Sequence, residues 1–175
     1  TSYVIAVVDD EQFLGHVYYG QKLNDYHLDH LLRIEEGPFV PSRNNRDRGS
    51  FLDSFPMEYP AHGLGDYRED CISIRTGEGN TGLSLNYVSH KIILGKPALE
   101  GLPASFGTEQ ECETLEITCR DSHTGLEAVL MYTVFEDVDV ITRSVKLINK
   151  GDQKLKIEKI YSACLDMDNE NFEML

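Results

Sequence analysis

The sequence predicts an all-β fold of mostly antiparallel strands. Three observations predict it: apolar and polar residues alternate with period two, the alternating runs are rich in β-branched and aromatic residues, and turn residues separate them at meander spacing. Alternation marks a sheet because successive side chains of a strand point to opposite faces.

Tyr3–Val8 and Phe13–Tyr19 are the first two strands, divided by Asp9, Asp10 and Glu11. From about residues 21–70 the pattern breaks into a long irregular excursion. Leu23–Leu32 has room for a turn or two of helix, and Pro38, Pro41, Pro56, Pro60, Gly63 and Gly65 follow. Phe39, Phe51, Phe55, Tyr59 and Tyr67 argue against disorder there, and a long irregular connection in a compact domain is typically functional or interface-forming.

Strands resume at Cys71–Arg75, Leu83–Leu94, Glu113–Arg120, Leu126–Phe135, Val138–Ile148 and Leu155–Leu165. Their turns are Asp121–Gly125, Glu136-Asp137 and Asn149–Asp152. In Glu113–Arg120, Leu115, Ile117 and Cys119 point one way and Thr114, Glu116, Thr118 and Arg120 the other, as in a sheet with one wet face. Leu126–Phe135 is apolar on both faces, with Leu126, Leu130 and Val134 on one and Val129, Met131 and Phe135 on the other. Such a strand is covered on both sides, by a second stacked sheet or by a neighbouring domain.

The 175 residues fit one domain, 1–175, and 41% hydrophobic with 26% charged residues is a globular composition. A net charge of −14 repels phosphate backbones and anionic lipid, so neither nucleic acid nor a membrane is an expected partner. No apolar run approaches the roughly 20 residues of a bilayer span. Thr1–Gln12 lacks the basic flank and cleavage site of a secretory signal, so a soluble, cytoplasmic protein is expected. Cys71, Cys112, Cys119 and Cys164 have neither zinc-site spacing nor the density of a disulfide scaffold, and read as reduced thiols.

Four constellations deserve weighing for chemistry. Gly77–Gly82 (GEGNTG) matches a dinucleotide-binding spacing, but a strand follows it where a helix N-terminus would have to hold the pyrophosphate, so a β-hairpin loop is expected. His27, His30, Asp25 and Asp29 have spacing that suits a divalent metal, though such clusters are ordinarily solvated. Asp166, Asp168 and Glu170 open like a calcium loop, but Asn171 occupies the position of the turn glycine. The 30 Asp and Glu residues offer many candidate acid and nucleophile pairs, and sequence alone supplies none of the separations that glycoside hydrolysis requires. No metal or cofactor is expected.

Several segments in order resemble the N-terminal domain of bacterial α-galactosidases of glycoside hydrolase family 36. They are Asp47–Pro60 (DRGSFLDSFPMEYP), Gly63–Glu69 (GLGDYRE), Tyr87–His90 (YVSH), Gly95–Ala104 (GKPALEGLPA), Tyr132–Asp137 (YTVFED), Val140–Ser144 (VITRS) and Ser162–Asp166 (SACLD). Asp70 departs from the pattern, standing where proline is expected.

The resemblance implies a large antiparallel β-supersandwich preceding a catalytic (β/α)8 barrel. Two aspartates of that barrel, outside residues 1–175, would act as nucleophile and acid/base in a retaining mechanism, so the chain alone is expected to be inactive. The implied substrates are α-galactoside oligosaccharides of the melibiose and raffinose type, and the implied assembly is a homotetramer. Phe51, Leu52 and Asp53 would then close a neighbouring subunit's active site, with Asp53 accepting hydrogen bonds from sugar hydroxyls. The competing readings are an autonomous carbohydrate-binding module, a pure oligomerisation domain, and the same domain of a raffinose-synthase-like or α-N-acetylgalactosaminidase relative. The absence of Trp weighs against the module.

Overall fold

The structure, a computed structural model, describes residues 1–8, 12–25, 27–32, 55–63, 68–101 and 104–166. These residues form β-strands joined by loops and short 3-10 turns, with no α-helix among them. Strands β1 (Ser2–Val7) and β2 (Leu14–Gly20) pair antiparallel, with a bulge between Val4 and Ile5. Strand β3 (Ile72–Thr76) pairs antiparallel with the distant β8 (Leu155–Ile160), Ile72 opposite Ile160. Between them β4 (Asn86–Leu94), β5 (Glu113–Arg120), β6 (Leu126–Phe135) and β7 (Val140–Asn149) form a four-stranded antiparallel meander.

Met57 bridges Gly15 of β2 antiparallel, and Ala61 bridges Ile72 of β3 in parallel. Residues 56–61 therefore splice the two ladders into one broken layer, in the order β1, β2, splice, β3, β8. That layer and the meander share a core. Leu14, Tyr59, Ile72 and Ile74 come from the spliced layer, and Ile117, Cys119, Leu126, Ala128, Leu130 and Tyr132 from the meander. The arrangement is the predicted β-sandwich.

Both ends of β5 and of β6 lie where the alternation put them, because an antiparallel meander with one shared face displays period two most clearly. The face of β5 expected to be wet is drier than that pattern suggests. Thr114 is fully buried, its Oγ1 donating to the Gly95 carbonyl at 2.7 Å. That uses its one proton, so Thr133 Oγ1 donates to it at 2.8 Å.

Two further expectations are corrected. The GEGNTG segment is not a hairpin loop, because β3 pairs with β8 while β4 pairs with β5. It is a tight turn in which Thr76 N–H donates to the Asn80 carbonyl at 2.9 Å and Gly79 takes a φ of +90°. The chain then runs extended, burying Leu83 and Leu85 before β4 starts at Asn86. Of the helix allowed over Leu23–Leu32, a 3-10 turn at Asp29–Leu31 is present.

Asp70, the residue that departs from the family pattern, lies 3.6 Å from Lys159 Nζ of β8, which also donates to Glu69 at 2.6 Å. A carboxylate at this position thus acquires a cation on the opposing strand.

Candidate functional site

Phe51, Leu52 and Asp53 lie outside the described residues. The chain leaves the described structure after Leu32 and re-enters it at Phe55, and both residues dock at one spot. Phe13, Phe55 and Met57 form a buried cluster with Val8 and Leu32 packed against it. Gly15 lies beneath. A Cβ there would stand 2.7 Å from Phe55 Cζ and 2.8 Å from Leu32 Cδ1, so any side chain would drive the two anchors away. The backbone reinforces the anchor: His16 N–H donates to the Pro56 carbonyl at 2.7 Å, and Glu58 N–H to the Leu14 carbonyl at 3.0 Å.

Three residues past Phe55, Glu58 is wholly buried, and four side chains from four strands converge on its carboxylate. Tyr3 of β1 places its hydroxyl 2.9 Å from both oxygens. Tyr132 of β6 donates to Oε1 at 2.7 Å, and Arg143 of β7 places Nη1 2.9 Å from the same oxygen. His16 of β2 lies with Nδ1 3.1 Å from Oε2. An ionised carboxylate only accepts, so His16 carries its proton on Nδ1.

Arg143 also donates to the Tyr3 hydroxyl at 3.0 Å and lies 4.0 Å above the centre of the Tyr132 ring. Its Nε and Nη2 are buried with no hydrogen-bond partner among the described residues. Contact with the electron-rich ring face offsets part of the cost of burying them. Burial, and then the negative charge of Glu58, push both phenols well above the ordinary tyrosine range, so Tyr3 and Tyr132 remain hydroxyl donors throughout the neutral range.

The segment continues into the other ladder. Tyr59 donates its hydroxyl to the Tyr161 carbonyl at 3.0 Å, and Cys71 N–H donates to the Pro60 carbonyl at 2.9 Å. Beside it, burial and then the neighbouring Cys164 push the Cys71 thiol up to about 12.

The weaker sequence candidates separate into local structure. His27 N–H donates to Asp25 Oδ1 at 3.0 Å, and His30 Nδ1 lies 3.2 Å from the His27 carbonyl, which makes an exposed turn. No group of three or more metal-ligating side chains occurs among the described residues. Asp166 receives Arg68 at 2.7 Å, while Asp168 and Glu170 lie outside the described residues.

Asp121, a second buried carboxylate, closes the turn between β5 and β6. It accepts Thr124 N–H at 2.6 Å, Thr124 Oγ1 at 2.8 Å and Ser84 N–H at 2.8 Å. Glu58 and Asp121 are therefore occupied as structural acceptors, and the third buried carboxylate among the described residues, Glu127, accepts Arg120 Nε at 2.9 Å.

The sequence reading missed the cluster around Glu58. Its available signal was Arg143, a cation between Ile141 and Val145 on the inward face of an alternating strand, where a buried charge needs an opposite one.

Residues 12–175 match the glycosyl hydrolase family 36 N-terminal domain. The bifunctional alpha-galactosidase/sucrose kinase AgaSK of Mediterraneibacter gnavus is 40% identical over 170 residues, 96% of this chain and 18% of that protein. Alpha-galactosidase AgaA of Geobacillus stearothermophilus is 37% identical over 164 residues, 93% of this chain and 22% of the relative. Among solved structures, the galactosidase domain of AgaSK superposes with a TM-score of 0.86 at 40% identity, covering 93% of this chain and 23% of that one. An AgaA variant in complex with raffinose gives 0.85 at 38% identity, covering 92% and 22%. The chain thus spans about a fifth of the length of these relatives.

Proposed function

The chain belongs to glycoside hydrolase family 36 as its N-terminal domain, and from that premise we propose that it is the non-catalytic part of a cytoplasmic, retaining α-galactosidase. The substrates are terminal α-galactosyl residues of melibiose- and raffinose-type oligosaccharides. The domain supports a homotetramer, and Phe51, Leu52 and Asp53 close the active site of a neighbouring subunit. Asp53 accepts hydrogen bonds from sugar hydroxyls, for which an ionised, acceptor-only carboxylate is suited, and Phe51 and Leu52 supply an apolar wall.

One observation carries this reading. Leu32 and Phe55, the described residues on either side of these three, meet over Gly15 beside the buried Glu58 cluster. A contact residue on a loop is useful only when the frame below it is fixed to a fraction of an ångström. The raffinose bound to the AgaA variant supports the substrate class. The occupation of Glu58 and Asp121 within the fold supports a catalytic pair located elsewhere in the protein.

The purified chain should give no turnover of an aryl α-galactoside above background, and activity that survives repurification would overturn the non-catalytic assignment. In the full-length enzyme Asp53→Ala should lower kcat/KM on raffinose by roughly 10- to 150-fold, the loss of a charge-assisted hydrogen bond, while the tetramer persists. A change within about twofold, or a loss that merely follows dissociation of the tetramer, would return Asp53 to an ordinary turn residue.

A further inference from the structure

Of the four cysteines, Cys71 and Cys164 meet, and the fold around them explains why. The ladder of β3 and β8 ends with Ile72 opposite Ile160. One residue beyond, Tyr161 N–H donates to the Cys71 carbonyl at 2.7 Å, and Tyr59 donates its hydroxyl to the Tyr161 carbonyl at 3.0 Å. Further on, Asp166 receives Arg68 Nη1 at 2.7 Å. The stretch 161–166 is therefore tied at both ends to the chain leading into β3, with Cys164 between the ties. Its side chain packs on the core that contains Cys71, and the two thiols share a hydrogen bond. Both are reduced, Cys71 buried and Cys164 half-buried. The other two cysteines are placed differently: Cys112 donates to the Thr108 carbonyl at 3.7 Å, and Cys119 sits on β5 of the opposite layer.

We propose that Cys71 and Cys164 are a thiol–disulfide site, closed by exchange with a low-molecular-weight disulfide such as oxidised glutathione and reopened by the corresponding thiol. Cys164, the more exposed of the two, is the sulfur that a dissolved disulfide can reach, so it attacks first, as the thiolate. Its sulfur bonds to one glutathione sulfur, and the other leaves as glutathione thiolate and takes up the proton that Cys164 lost. Cys71 then gives up its proton and attacks the Cys164 sulfur, and the second glutathione thiolate leaves and takes up that proton. Two protein thiols become one disulfide while one glutathione disulfide becomes two thiols.

Burial slows the second step by keeping Cys71 protonated, and the contact between the two sulfurs offsets this through a high effective concentration. The bond closes a loop that holds the whole meander, β4 to β7, and fixes the stretch after β8 to the entrance of β3. Long loops are those whose closure removes most freedom from the unfolded chain.

The test exposes the full-length enzyme, native and unfolded in urea, to one series of glutathione buffers at pH 8. Thiols are then quenched by acid and alkylated, and peptides are mapped without reduction. A peptide pair joined through Cys71 and Cys164 should appear in native enzyme, about 2 Da lighter than the two reduced peptides together, and disappear on return to reduced glutathione. The equilibrium constant for closing the bond should be roughly 30- to 1000-fold larger in native than in unfolded enzyme, because whatever the bond adds to the fold, the fold adds to the bond. Cys71→Ala should trap glutathione on Cys164, and Cys164→Ser should leave Cys71 unmodified. Should Cys71→Ala fail to accumulate, the native-to-unfolded ratio and Cys164→Ser decide by themselves. Equal constants in native and unfolded enzyme, glutathione retained on Cys164 of the wild type, pairing of either thiol with another cysteine, or glutathione on Cys71 in Cys164→Ser would overturn the proposal.

Discussion

Glu58 and Asp121 are both buried carboxylates, and they are held by opposite means. Asp121 is satisfied almost entirely by its own hairpin, through Thr124, with Ser84 brought alongside. The side-chain partners of Glu58 stand 42 to 85 residues away, on strands of both layers. A short polar side chain beside a turn finds backbone donors wherever the turn forms. A carboxylate buried between layers has donors only after the layers have met. The first arrangement makes a turn, and the second reports that the sandwich has closed correctly.

The comparison breaks most directly at Glu58. Glu58→Ala strands the Arg143 guanidinium in the core and should lower stability to urea by about 3–5 kcal/mol. Pairing it with Arg143→Met should recover a large part, since removing both charges is far cheaper than removing one. A double variant no more stable than the single one would show that the cost came from lost packing. Asp121→Ala leaves two backbone N–H groups and one hydroxyl without their acceptor and should cost about 2 kcal/mol. Because its partners are local, a second change at Glu58 should add to it independently. A coupling above about 0.5 kcal/mol between the two sites would merge them into one unit.

The smallest effect concerns groups that burial keeps neutral. Burial pushes the thiols of Cys71 and Cys119 up to about 12 from an ordinary value of 9.0. Tyr3, Tyr59 and Tyr132 shift in the same direction for the same first cause. Each such group favours the folded state fully below its unfolded pKa, and that contribution is lost as pH rises toward the folded value. Stability should therefore hold at neutral pH and fall from about pH 9 to 12. At pH 8, Cys71 and Cys119 should react with iodoacetamide on the order of a thousandfold more slowly than a free thiol. Labelling of the native chain at either position at the free-thiol rate would show that the core opens locally.

The two carboxylates also mark what the sequence made legible. The eight strands were readable because alternation and turn residues are local signals, and Asp121 within Asp121–Gly125 was readable as part of a turn. The ends of β4 and β8 were overrun, because Leu83 and Leu85 are buried without pairing in the sheet, and residues after Ile160 keep an apolar pattern beyond the ladder. Glu58 was not readable. It sits among prolines and aromatics with no periodicity, and its partners are defined by the crossing of layers, which no local window contains. The pairing of β3 with β8 was hidden for the same reason. The segment around Asp53 was recognised by family resemblance, and periodicity contributed nothing there.

That pairing has a consequence for how the protein is made. The meander strands are hairpin neighbours, so each can pair as soon as the next is synthesised. Ile72 must wait for Ile160. At about 5–20 residues per second, β3 spends roughly 4–18 s on the ribosome without its hydrogen-bonding partner. During that interval the buried row of Ile72 and Ile74 has no β8 beside it, and the parallel bridge from Ala61 is its nearest pairing contact. Nascent chains of this protein are accordingly open to chaperones, and to one another, in the window between the emergence of β3 and that of β8.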